Sequence, residues 1–216
     1  MPKRNTHHNV KSHHNGKSHR GATKARSHSR APQMVNAEWL RDFLSEMLAV
    51  EKGGVKLYEK AINELAHSEF EEELTNFLHQ TEYHVELCTE MLKAAGGDED
   101  YLSPGAEAAE QKAEGLMAAT VPAELRDLNN IENLVLAETK DHWNWEMLAS
   151  VEKKIADTDL KGTVSQAVRE VRKQERAHLD WNERTLTAIA TEAASQARSD
   201  EEMETDGTER ETMDRE

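Results

Sequence analysis

At 216 residues, with 32% charged and 37% hydrophobic residues and a formal charge of −15, the chain has room for one ordinary domain plus tails. Its single cysteine, Cys88, excludes a disulfide framework and a four-cysteine metal module within the chain. Strong β runs rich in Val, Ile and Thr are missing and apolar residues recur at spacings of three and four, so the expected class is all-α.

Charge is unevenly spread. Residues 1–33 hold eight Lys or Arg and no acid, and they include His7, His8, His13, His14, His19 and His28. Residues 199–216 hold nine acids against two Arg. Both ends are too poor in apolar residues to offset chain entropy. The expectation is a disordered basic arm (1–33), a folded domain (34–198) and a disordered acidic tail (199–216). The domain's negative charge argues against nucleic acid as its partner, whereas the arm permits weak DNA contact. No apolar run is long enough to span a bilayer. The basic N-terminus lacks the apolar stretch of a secretory signal, which predicts a cytoplasmic location.

The first helix is predicted from the cap Asn36 to about Ala66, with Phe43, Met47, Leu48, Glu51, Val55, Tyr58, Ile62 and Leu65 facing inward. Gly53-Gly54 interrupts it at a cost of roughly 1 kcal/mol per Gly relative to Ala, which points to close helix packing or to backbone room beside a site. Ser68-Glu-Phe-Glu71 reads as a capping box opening the second helix. That helix presents Phe70, Leu74, Phe77, Thr81, His84, Cys88 and Met91, and it stops at Gly96-Gly97. The polar stretch from Asp98 to Thr120 is long enough to cross the length of a bundle and has a helix start at Pro104. Pro122 suits the first turn of the third helix. The third helix shows Leu125, Leu128, Ile131, Val135, Glu138, His142, Trp145 and Ala149 on one side and ends near Ala156. The fourth shows Val164, Val168, Val171, Glu175, His178, Trp181, Leu186 and Ile189.

The two halves match in pattern. Phe70, Leu74, Phe77, Thr81 and His84 align without a gap on Val164, Val168, Val171, Glu175 and His178. Upstream, Glu51 precedes Tyr58 by seven residues, as Glu138 precedes Trp145. An internal duplication of a helical hairpin is the simplest cause. Residues three apart share a helix face, so Glu175 and His178 offer a carboxylate and an imidazole to one point. A charge on a buried stripe is costly unless it is paired or bound to metal. Glu51, His84, Glu138, Glu175 and His178 each interrupt an apolar face, which marks them as metal ligands. The set suits iron or manganese, with zinc admissible. Thr81 stands where the repeat would put a Glu. His142, one turn past Glu138, is a sixth candidate that makes up for it. The Glu138–His178 interval exceeds the Glu51–His84 interval by seven residues. That surplus fits wholly within the 155–162 connection; if it is shared between the two helices instead, His142 or Asp141 takes the height of Glu138. Tyr58 and Trp145 read first as core packing, and as shields or electron relays if the site is real. Cys88 reads as a buried thiol.

On these residues, Glu51 with Tyr58, His84, Glu138 and Glu175-Arg-Ala-His178, the chain resembles the ferritin-like superfamily on its rubrerythrin-like side. The stretch Phe77–Leu87 is similar to the stress-associated YciE/YciF-type ferritin-like proteins, where Thr-Glu-x-His replaces Glu-x-x-His. The resemblance implies an antiparallel four-helix bundle with a long crossover between helices two and three. It also implies two iron ions between the hairpins, redox chemistry with oxygen or peroxide of peroxidase or ferroxidase type, and a homo-oligomer. The rival readings are a metal-degenerate bundle acting through protein contacts and a nucleoid-associated protein acting through its arm.

Overall fold

The computed structural model describes residues 34–98 and 100–213, with side chains through Ser195. The expected basic arm lies outside the described residues. Among those described there are five α-helices and no strand: α1 (Ala37–Glu64), α2 (Glu71–Ala94), α3 (Pro104–Ala118), α4 (Arg126–Val151) and α5 (Thr158–Met213). None is long and apolar enough to cross a membrane. The α5 backbone runs past the boundary expected at 198, and side chains beyond Ser195 lie outside the description.

Asn36 caps α1 by accepting the Trp39 N–H at 3.0 Å. The capping box at Ser68 does not form. Ser68–Phe70 is a single 3-10 turn without a side-chain cap, and α2 begins only at Glu71. The free N–H groups before this turn, those of Ala66 and His67, go instead to the Asp127 carboxylate of α4 at 3.0 and 2.9 Å. The stop at Gly96 is as read: its φ of 83° is a left-handed conformation that glycine adopts without steric cost. Ser103 caps α3 through the Ala106 N–H. Pro122 precedes a 3-10 turn, Ala123–Leu125, rather than sitting in α4 itself. The third long helix ends at Val151, short of Ala156, because Glu152–Lys154 tightens into another 3-10 turn.

The α1–α2 and α4–α5 hairpins each close through one such turn. Glu51 and Glu138 lie equally far from the ends of their helices, and the two connections are equal in length. The seven surplus residues are therefore two extra turns at the start of α5. They are neither in the connection nor shared, and Glu138 keeps the height that matches Glu51.

α1 packs on α2, α3 and α4, and α5 packs on α4 and α2. α1 and α4 run antiparallel, since Glu51 meets Trp145 and Tyr58 meets Glu138. The helix crossing from the first hairpin to the second, α3, lies along α1 on an alanine seam of Ala49, Ala106 and Ala109. An ideal Cβ on Gly53 would stand 2.9 Å from the Ala113 Cβ, so close approach of α3 accounts for this glycine. Ser103 and Ser45 tie the start of α3 to α1 through the Asp42 and Tyr101 carbonyls.

The core has two apolar parts. One gathers Leu44, Met47, Met91, Leu148, Val164 and Val171. The other gathers Leu57, Leu74, Phe77, Ile131 and Leu134. Between them, at the height of Glu51, His84, Glu138 and Glu175, lies a buried polar layer.

Candidate metal centre

Five of the six expected ligands meet in this layer, and all five are nearly inaccessible to solvent. They form two triads that share one residue. Glu51, His84 and Glu175 offer ligand atoms within 4.8 Å of one another, and so do Glu138, Glu175 and His178. Glu175 is the shared member. His84 Nδ1 lies 2.8 Å from Glu175 Oε1 and 3.6 Å from Glu51 Oε2. His178 Nδ1 lies 3.5 Å from Glu138 Oε2 and 3.7 Å from Glu175 Oε1.

The outward atoms of the same side chains are held reciprocally. Trp145 Nε1–H donates to Glu51 Oε1 at 2.8 Å, and the Tyr58 hydroxyl donates to Glu138 Oε1 at 2.6 Å. His84 Nε2 pairs with Gln174 Oε1 at 2.9 Å, and His178 Nε2 pairs with Gln80 Oε1 at 3.0 Å. Each glutamine sits on the opposite helix from its histidine, one position before Glu175 or Thr81. An amide oxygen only accepts. Both Nε2 atoms therefore carry hydrogen, which turns each neutral ring's Nδ1 lone pair inward. A ligating histidine is commonly fixed in this way through its other nitrogen. Tyr58 and Trp145 are thus more than packing.

What remains inside is unsatisfied. Glu51 Oε2, His84 Nδ1, Glu138 Oε2, both Glu175 carboxylate oxygens and His178 Nδ1 are buried without a hydrogen-bond partner of good geometry. Buried polar groups are rarely left so. Six orphan atoms, all oxygen or imidazole nitrogen and all converging, are of the kind and number that could hold a cation.

The electrostatics agree. Burial opposes a charge on His84, but the Glu51 and Glu175 carboxylates outweigh it and raise its pKa to about 11. Burial, then the charge of Glu138, pushes Glu175 well above the usual carboxylate range. Burial also raises Glu138, yet the His178 ring and the Tyr58 hydroxyl beside it prevail and hold it low.

His142 is not part of the centre. It is half-buried and lines a groove between α4 and α5, its ring against Trp143. Ile131, Glu138 and Trp145 fix one set of core positions on α4, and the alternating set could follow each by three or four residues. The buried set is Leu134, Asp141 and Leu148, not Val135, His142 and Ala149. Asp141 accordingly stands at site height. It is buried with Oδ1 unpartnered, and its pKa is raised by burial and by Glu175, Glu51 and Glu138.

Thr81 is at the right height and buried, but its hydroxyl donates to the Phe77 carbonyl of its own helix. Its methyl faces Gly54, where an added Cβ would stand 3.2 Å away. Gly54 occupies on α1 the place Asp141 occupies on α4, three residues after the glutamate. One side of the centre therefore has Gly54 and Thr81, and the other has Asp141 and Glu175. Cys88 is fully buried, and burial raises its thiol pKa. Asn182, buried one turn beyond His178, donates to the Tyr58 hydroxyl at 3.2 Å. Gln80 and Gln174 had a signal in sequence, since they are identical residues at matching places in the repeat. Asn182 had none.

No protein-family model, no curated protein and no solved structure matches the chain.

Proposed function

We propose that the chain is a ferritin-like four-helix bundle holding two metal ions between its hairpins, with iron preferred and manganese or zinc as alternatives, and that it acts on oxygen or peroxide. The observation that carries this reading is the convergence of six orphaned donor atoms in two triads sharing Glu175. Glu51 and His84 would hold one ion and Glu138 and His178 the other, with Glu175 common to both. Asp141 would supply the carboxylate that Thr81 lacks. Iron so bound supplies one-electron exchange with oxygen or peroxide.

The chain's own residues prepare the site. Trp145 and Tyr58 hold the outer oxygens of Glu51 and Glu138, which aims the inner oxygens at the centre. Gln174 and Gln80 fix the imidazoles with Nδ1 inward. The apolar parts of the core above and below exclude bulk water. An apolar cavity of about 400 Å³ between α1, α3 and α4 reaches Gly54. It provides a route for a small uncharged oxidant on the side free of carboxylates.

The test is anaerobic loading of the full chain with ferrous iron, then peroxide, with optical detection of iron oxidation. Wild type should oxidise bound iron and consume peroxide. Glu175→Ala and His178→Ala should lose most of both while keeping helix content. A metal-degenerate bundle would bind no iron above background, and that result would remove the proposal.

A further inference from the structure

A groove of about 880 Å³ runs between α4 and the first half of α5, away from the buried centre. His142 and Lys153 line one wall, and Arg169, Arg172, Lys173 and Arg176 line the other. Glu146 and Glu152 are its only acids. Glu146 is committed to Arg172, at 2.6 Å, and Arg176 pairs with Asp180. Lys153, Arg169 and Lys173 have no carboxylate at ion-pair distance among the described residues. In a chain of net charge −15, such a run of cations is out of character with its surroundings.

One further observation bears on the same place. Trp143, beside His142 and in ring contact with it, leaves 60% of its surface exposed.

We propose that this groove binds single-stranded nucleic acid. Arg169, Lys173 and Arg176 lie at helical spacings of four and three. They form one row about 10 Å long, suited to following a phosphodiester backbone. Trp143 offers a face on which an unpaired base stacks. A cationic track beside an aromatic platform is the usual means of holding a single strand. A duplex keeps its bases stacked and gives Trp143 no such contact. The domain's net negative charge disfavours nucleic acid as a whole but conceals this local patch of opposite sign.

The experiment is fluorescence anisotropy of a labelled oligothymidylate of about twelve nucleotides, titrated with the full-length chain over a series of salt concentrations. A duplex hairpin serves as competitor. Because the N-terminal arm is present in every sample, changes report on the groove. Arg169→Gln with Lys173→Gln should weaken binding at least about ten-fold and make the log–log salt slope shallower by about 1.4, for two lost phosphate contacts. Trp143→Ala should weaken it about ten-fold with the slope unchanged. The proposal is overturned if wild type does not bind at low salt, or if all three proteins bind alike. It is also overturned if the hairpin competes as well as the single strand, or if the charge variant alters only self-association.

Discussion

The Tyr58 hydroxyl donates to Glu138 across two helices at 2.6 Å, and Trp145 returns the favour to Glu51 at 2.8 Å. Each glutamate is followed two turns later by the aromatic that orients the other one. Tyr58→Phe should therefore act on the Glu138–His178 half. It leaves a buried carboxylate oxygen unsatisfied and should cost about 1–3 kcal/mol of apo stability. It should also lower metal affinity at that half by about ten- to a hundred-fold. Trp145→Phe should do the same to the Glu51–His84 half. Chelator competition on both variants checks this. Equal loss at both halves in either variant would contradict the pairing.

Carboxylate neighbours raise the pKa of His84, and burial with neighbouring carboxylates raises those of Glu175 and Asp141, so all three groups favour their protonated forms. Ligands must shed these protons to bind metal. Metal binding at neutral pH should therefore release protons, and affinity should rise with pH. Calorimetry in two buffers of different ionisation enthalpy measures the release. Identical heats in both buffers would show that no proton leaves.

Gly53 tests the fold rather than the site. Alanine is the better helix former by roughly 1 kcal/mol, but its Cβ would meet the Ala113 Cβ at 2.9 Å. The clash should prevail, with net destabilisation of about 1–3 kcal/mol. Chemical denaturation of Gly53→Ala decides. A stabilised variant would mean that α3 is free to move off α1.

Asp127 gives a pH-dependent prediction. Burial raises its pKa, but hydrogen bonds from Ala66 and His67 outweigh this and lower it; His67 is raised mainly by its hydrogen bond to Asp127. The lowered carboxylate contributes stability above its unfolded pKa and loses it as pH falls through the folded value. The raised imidazole contributes below its unfolded pKa and loses it as pH climbs through the folded value. The pair is thus strongest between the two, in mildly acidic solution. Asp127→Ala should lower Tm more at pH about 5.5 than at pH about 8.5. At the higher pH only the backbone cap is lost. A Tm loss independent of pH would remove the ion pair from the account.

Much of this was legible in the chain. The helical period, the Asn36 cap, the stop at Gly96 and the helix after Pro104 follow from local chemistry. Glu51, His84, Glu138, Glu175 and His178 stood out because charges on apolar stripes recur in a repeated order. His142 was misplaced because a heptad helix leaves two ways to continue from a fixed position. Only packing of Leu134 and Leu148 against the core selects Asp141. At Ser68 a 3-10 turn forms in place of the capping box, and a carboxylate 60 residues away in sequence, Asp127, takes the His67 N–H just before that turn. Periodicity carries no record of such a contact. Net charge concealed the groove beside Trp143 for a similar reason.

The central claim is that Glu175 joins two halves of one metal centre. Metal content per chain, measured after loading and desalting of wild type, Glu51→Ala, Glu138→Ala and Glu175→Ala, tests it most directly. Two ions should be bound by wild type, one by each of Glu51→Ala and Glu138→Ala, and almost none by Glu175→Ala. Wild-type content in Glu175→Ala, or no retained metal in wild type, would contradict it.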